Sequence, residues 1–186
     1  MTMVEIRRHE LDGVIEFLPP RFGDERGFFS EVWNAAQWQN AGIELDFVQD
    51  NHSFSKAKGV LRGLHYQLPP FAQDKLVRVT RGAIFDVAVD LRRSSPTFGR
   101  WLGVELSRER WNQLLVPKGF AHGFVTLEED CEVQYKVTAP YSPEHERAIR
   151  FDDPAIAIAW PNVGADFQLS EKDAAALPFA DAESFE

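Results

Sequence analysis

Four side chains suited to proton transfer sit in this sequence inside apolar runs that would hold them still. They are His65 in VLRGLHYQ (60–67), Lys75 at the head of KLVRV, His122 in LLVPKGFAHGF (114–124) and Tyr135 in CEVQYKV. Imidazole titrates nearest neutrality, which makes each histidine a candidate base. A lone strand histidine is more often a hydrogen-bonded structural residue than a base, so spacing alone gives His65 no role. Strand side chains alternate, so Tyr135 shares a face with Cys131, Val133 and Val137 and points inward, while Glu132, Gln134 and Lys136 point the other way. An inward tyrosine either packs and gives its hydroxyl one partner, or works on a ligand. Asp86 and Asp90 interrupt the apolar FDVAVDL, and a buried carboxylate needs a cation. Lys75 is the candidate partner for Asp86. SEKD at 170–173 has the S-x-x-D form of a helix capping box, which makes Asp173 a cap by the ordinary reading.

The elements that must position these groups are short. Gly and Pro recur about every ten residues, and between them lie GVIEFL, RGFFSEVW, DFVQDNH, KLVRVT, AIFDVAVDL, WLGVEL, QLLVP, GFVTL and CEVQYKV. Strands at that spacing predict a sandwich or barrel. Helix is expected only at 34–42, ending at a C-cap-like Gly42, and in a short piece from Ser170; the acidic DAESFE reads as a tail. The expectation is one mainly β domain over residues 1–186, a jelly-roll barrel whose interior can hold a ligand. Twenty Lys and Arg against 29 Asp and Glu leave a net charge of −9. That charge disfavours nonspecific binding of nucleic acid or an anionic membrane, and an anionic ligand would need local arginines. The lone Cys131 excludes an internal disulfide, and the N-terminus lacks an apolar signal core. The location expected is the cytoplasm.

A metal would explain the histidines, and part of a metal-binding signature is present. P-x-G-x-x-H over Pro117, Gly119 and His122 resembles the second motif of cupins. The first cupin motif, H-x-H followed by Glu, reads His65-Tyr66-Gln67 here, followed by LPPFAQDK without a glutamate. Two histidines without that carboxylate fall short of a catalytic metal site, so no metal and no other cofactor is expected. A cupin-like barrel without metal remains a shaped cavity around a base.

FGDERGFFSEVWN, FVQDNHS, GVLRGLHYQ, KLVR, FDVAVDLRRSSPTFG, VPKGFAHGF, YKVTAPYSPEHE and LSEKD occur together and in this order. In that combination the chain resembles the dTDP-4-dehydrorhamnose 3,5-epimerases of dTDP-L-rhamnose biosynthesis, from about residue 10 to 180. The resemblance implies a homodimeric, metal-free jelly roll that acts on a dTDP-sugar. It implies His65 as general base, Asp173 as its orienting partner, Lys75 as stabiliser of an enolate oxygen and Tyr135 as the acid on the opposite ring face, with His122 near the sugar. Arg26 and Arg62 resemble diphosphate-binding arginines, Lys172 adds positive charge, and Tyr141 resembles the residue that stacks on thymine. Glu31, Gln49, Asp50, Asn51 and Glu146 match further nucleotide-binding positions, some reaching across the dimer. Ser30 stands where the family often has a third aromatic. Alternatives are an epimerase or ketoisomerase of an antibiotic-sugar pathway that acts at one centre, and a noncatalytic sugar-nucleotide-binding jelly roll.

Overall fold

The computed structural model describes residues 4–186. Thirteen strands follow one another: β1 (Glu5–Arg8), β2 (Ile15–Leu18), β3 (Phe22–Asp24), β4 (Gly27–Phe29), β5 (Gln49–Ser55), β6 (Leu61–Gln67), β7 (Lys75–Arg81), β8 (Ala83–Asp90), β9 (Trp101–Ser107), β10 (Gln113–Val116), β11 (Phe120–Thr126), β12 (Cys131–Val137) and β13 (Glu146–Ala148). All pairings between them are antiparallel. They form a six-stranded sheet in the order β1-β2-β10-β7-β12-β5, a five-stranded sheet in the order β13-β6-β11-β8-β9, and a separate β3–β4 ribbon. The fold is mainly β and shares the cupin-like jelly-roll architecture expected from the strand spacing.

The two large sheets face each other across one core. Val77, Val79, Leu114, Val116 and Val133 from the first sheet meet Ile84, Ala88, Leu106, Phe120 and Phe124 from the second. The second sheet is also covered on its outer face, where Leu64, Tyr66, Val87 and Val89 pack under Ile156, Trp160, Phe179 and Phe185. This double burial explains why FDVAVDL is apolar at nearly every position instead of alternating. On the outer face of the first sheet, Phe17 stacks on Trp38 with ring centroids 3.6 Å apart. Trp38 belongs to α1 (Ala35–Asn40), capped by the Asn34 side chain and followed by Gly42 at φ +79°. The helix expected at 34–42 is therefore present.

Other expectations are corrected. RGFFSEVW is strand only over Gly27–Phe29, because Ser30–Asn34 leaves the ribbon to reach the helix cap. The DAESFE tail is tied down: Phe185 N donates to Leu91 O at 2.9 Å, Arg93 N to Phe185 O at 2.8 Å, and the Tyr66 hydroxyl to Glu183 O at 2.6 Å.

One irregularity of β6 matters for the site. His65 lies opposite His122 and Arg62 opposite Phe124, so β6 spends two residues, Gly63 and Leu64, where β11 spends only Gly123. In a regular strand, residues three apart face opposite sides; one extra residue brings Arg62 and His65 onto the same side. Gly63 is required there, since its φ is +124° and a Cβ would lie 2.5 Å from the Gly123 Cα.

Candidate active site

The mouth of the space between the sheets is a cleft with two lobes. One, of about 260 Å³, is lined by Gln49, Asn51, Gln67, Gln73, Tyr141 and Glu146; the other, of about 250 Å³, by Ser53, Arg62, His122, Phe124, Ser170 and Asp173. His65, Lys75 and Tyr135 line both, so they form the wall the lobes share. His65 comes from the five-stranded sheet, and Lys75 and Tyr135 come from the six-stranded sheet on the other side.

His65 Nε2 lies 2.5 Å from Asp173 Oδ1. Asp173 is delivered by the single turn α2 (Glu171–Ala174), whose N-cap Ser170 both accepts from Asp173 N at 3.1 Å and donates to Asp173 Oδ2 at 2.8 Å. Asp173 thus gives its N–H to the helix cap and divides its carboxylate between the Ser170 hydroxyl and His65. Burial opposes the Asp173 charge, but the hydrogen bonds from His65 and Ser170 outweigh it and hold the carboxyl below its ordinary pKa. An imidazole bound at Nε2 by an ionised carboxylate donates there and keeps Nδ1 as the acceptor.

Lys75 opens β7, and its Nζ donates to His65 O at 3.2 Å. Burial pulls its pKa down to about 8, against the charges of Asp86 and Glu146, which raise it. The direct partner expected for Asp86 is corrected. Asp86 Oδ1 lies 2.8 Å from His122 Nε2, and Lys75 feels the carboxylate only through its charge. Asp86 and His122 are neighbours because β8 and β11 pair side by side, a relation the spacing of the two motifs does not reveal. Asp90 does take a cation, Arg92 Nη2 at 2.8 Å, with Ser95 and Thr97 adding hydroxyl donors. Burial pushes the Tyr135 phenol above its ordinary pKa, with Arg62 opposing and Glu146 adding to the rise.

At the rim, Arg62 donates to Ser55 Oγ and Phe54 O and has no carboxylate partner among the described residues. Tyr141 is 54 % exposed, its hydroxyl held by Glu146 at 2.6 Å and its backbone N–H by Gln49 Oε1 at 3.0 Å. Gln49 in turn donates to Asn51 Oδ1 at 2.8 Å. Lys172 is paired with Glu146, which neutralises the charge expected of it. Three expected site residues are not brought to the cleft within one chain. Asp50 faces away, bonded to Lys136 at 2.7 Å; Arg26 projects from the β3–β4 ribbon against Asp24; Glu31 holds Asn34 and Gln37. Ser30, in place of an aromatic, accepts from Trp111 Nε1 at 2.9 Å.

Sequence reasoning missed Ser53, Gln73, Phe124 and Ser170 as cleft residues and considered Gln67 only as a failed metal ligand. The alternation Gln49, Asn51, Ser53 along β5 and His122, Phe124 along β11 is a signal that finds two of them; Gln73 lies in a loop and has none. Among the described residues, no three His, Cys, Asp or Glu side chains are grouped to hold a metal ion.

A proton acceptor backed by a carboxylate, an ammonium and a phenol around one cavity can remove a proton, stabilise the resulting oxyanion and return a proton. Comparison with known proteins agrees. The model of the family described as dTDP-4-dehydrorhamnose 3,5-epimerase matches residues 8–181. The dTDP-4-dehydrorhamnose 3,5-epimerase of Pseudomonas aeruginosa is 55 % identical over 179 residues, covering 96 % of this chain and 97 % of the relative. The Legionella pneumophila dTDP-6-deoxy-D-glucose-3,5-epimerase, solved in complex with dTDP-4-keto-L-rhamnose, superposes with a TM-score of 0.92 at 49 % identity, over 97 % of this chain and 95 % of that one. ChmJ, a 3′-monoepimerase from Streptomyces bikiniensis solved in complex with dTDP-quinovose, superposes with a TM-score of 0.86 at 33 % identity, over 92 % and 86 %. The chain belongs to the dTDP-4-dehydrorhamnose 3,5-epimerase family and is an isomerase.

Proposed function

We propose that this protein converts dTDP-4-dehydro-6-deoxy-D-glucose to dTDP-4-dehydro-L-rhamnose, without a metal, through the wall that the two lobes share. The observation that carries the reading is the His65–Asp173 contact of 2.5 Å in the same wall as Lys75 and Tyr135. The ketone at C4 of such a sugar acidifies the protons on C3 and C5 alike, since either carbanion delocalises onto the carbonyl oxygen, so one base can serve both carbons. His65 Nδ1 takes the proton and Asp173 stabilises the imidazolium. The Lys75 ammonium balances the enolate oxygen in a site with little water. Tyr135 gives its phenolic proton to the carbon from the other face, and the centre is inverted. His65 then carries one extra proton and Tyr135 lacks one; exchange with solvent resets both before the next centre reacts.

In this reading Arg62 binds the diphosphate and Tyr141 stacks on thymine, with Gln49, Asn51 and Glu146 around the nucleotide and His122 beside the sugar. Metal independence is supported by the occupation of both histidine Nε2 atoms by carboxylates. A homodimer, with Arg26 and Glu31 reaching a partner's cleft, is supported by the apolar ribbon that carries Arg26 and leads into Glu31: Phe28 is 50 % and Phe29 69 % exposed. The whole described chain acts as one domain, and the cytoplasm is its place, in keeping with a free, buried Cys131.

Likeness to a monoepimerase favours one alternative, inversion at a single carbon. Incubation with dTDP-4-dehydro-6-deoxyglucose in heavy water, after exhaustive chelation, separates the readings by NMR. Deuterium at both C3 and C5 is expected; label at one carbon establishes the alternative, and turnover that requires added metal overturns the metal-free reading.

A further inference from the structure

Three buried side-chain polar atoms have no hydrogen-bond partner among the described residues, and of these only Ser53 Oγ belongs to a residue lining the cleft. Its position is set by β5, whose even-numbered residues Asp50, His52 and Phe54 face out while Gln49, Asn51, Ser53 and Ser55 face in. The neighbours on that inner face are satisfied: Asn51 accepts from Gln49 at 2.8 Å and Ser55 from Arg62 at 3.3 Å. Ser53 lies between them, opposite Val133 on β12. A hydroxyl shut away from water without a partner destabilises the empty protein, and an apolar residue would fill the same strand position without that penalty. Such an atom is explained when a ligand supplies what it lacks.

The lobe also defines that ligand. Arg62 and Lys75, which can only donate, line it, so a molecule lying there presents acceptor oxygens to this wall. We infer that Ser53 is a substrate-binding residue, whose hydroxyl donates to a non-reacting oxygen of the nucleotide sugar, either a phosphate oxygen beside Arg62 or an oxygen of the sugar ring. The inference rests on the function proposed above and gives a role to Ser53, which the motif FVQDNHS contains but to which the sequence reading assigned none.

Ser53→Ala, titrated with dTDP and with dTDP-glucose and melted without ligand, tests it. The melting temperature of the ligand-free variant is expected to equal or exceed that of the wild type, because the unpaired hydroxyl is gone, while affinity falls. A loss on the order of 10- to 100-fold for both ligands identifies a phosphate oxygen; a loss on the order of 2- to 10-fold for dTDP-glucose alone identifies the sugar. Wild-type affinity for both ligands overturns the inference, as does weaker binding that comes with a matching loss of ligand-free stability, the mark of a structural residue. A wild-type protein that binds neither ligand removes the proposed function itself, and the inference with it.

Discussion

The proposed role of Lys75, balancing an enolate, needs its charge, yet its burial brings its pKa to about 8. The sign is fixed: the ammonium is present below that value and disappears as pH rises through it. The expected outcome is a kcat/KM profile whose alkaline limb bends near pH 8 and then falls about tenfold per unit. Asp86→Asn removes one of the two charges that support the ammonium, so the bend should move to lower pH. A flat profile from pH 7 to about 9.5, well past that pKa, would remove the Lys75 charge from the mechanism. Which residues could transfer protons was legible in the sequence, because residue types and the alternation around Tyr135 are local facts. Which carboxylate holds which cation was not. Asp86 was assigned to Lys75 and belongs to His122, since the pairing of β8 with β11 decides the matter and lies outside any local window.

The elements show the same division. Helix α1, with Asn34 before it and Gly42 after it, and the long apolar strands are written in short-range pattern. The three-residue β13, the bulge at Gly63 and the docking of the C-terminal residues rest on backbone hydrogen bonds that side chains announce weakly or not at all. The S-x-x-D box was legible as a cap from its spacing, and its second duty only through the family resemblance, because only the fold brings α2 beside β6. That double duty makes Ser170 a positioning residue. Ser170→Ala removes the cap and the donor to Asp173 together. Loss of a cap costs about 1 kcal/mol, which lowers Tm by roughly 2–4 °C in a protein of this size. A fall in kcat with little change in KM should accompany it, because Asp173 loses the group that orients it. Ser170→Thr, which keeps the hydroxyl, should restore both. A Tm loss with unaltered kcat would confine Ser170 to capping.

Across the whole molecule, two features give the cleft its meaning. The first is that Arg26, on the exposed aromatic ribbon, and Glu31, just after it, lie away from the cleft of their own chain, as expected if each site borrows them from a partner. Arg26→Ala and His65→Ala should each be nearly inactive as homodimers. Unfolded together and refolded, they should recover about a quarter of wild-type activity, because half the dimers are mixed and each of those has one intact site. No recovery would place Arg26 in the site of its own chain. The second is that the proposed base and acid come from facing sheets, His65 from one and Tyr135 from the other, so that in the proposed mechanism a sugar ring between them meets one group on each face. Inversion by removal on one face and return on the other is the central claim, and proton exchange measured against epimerisation in heavy water tests it most directly. His65→Ala should abolish both. Tyr135→Phe keeps His65 and Lys75, so deuterium should still enter from the face of removal while inverted product falls on the order of 10²–10⁴-fold. Unimpaired inversion in Tyr135→Phe, or unimpaired exchange in His65→Ala, would contradict the account.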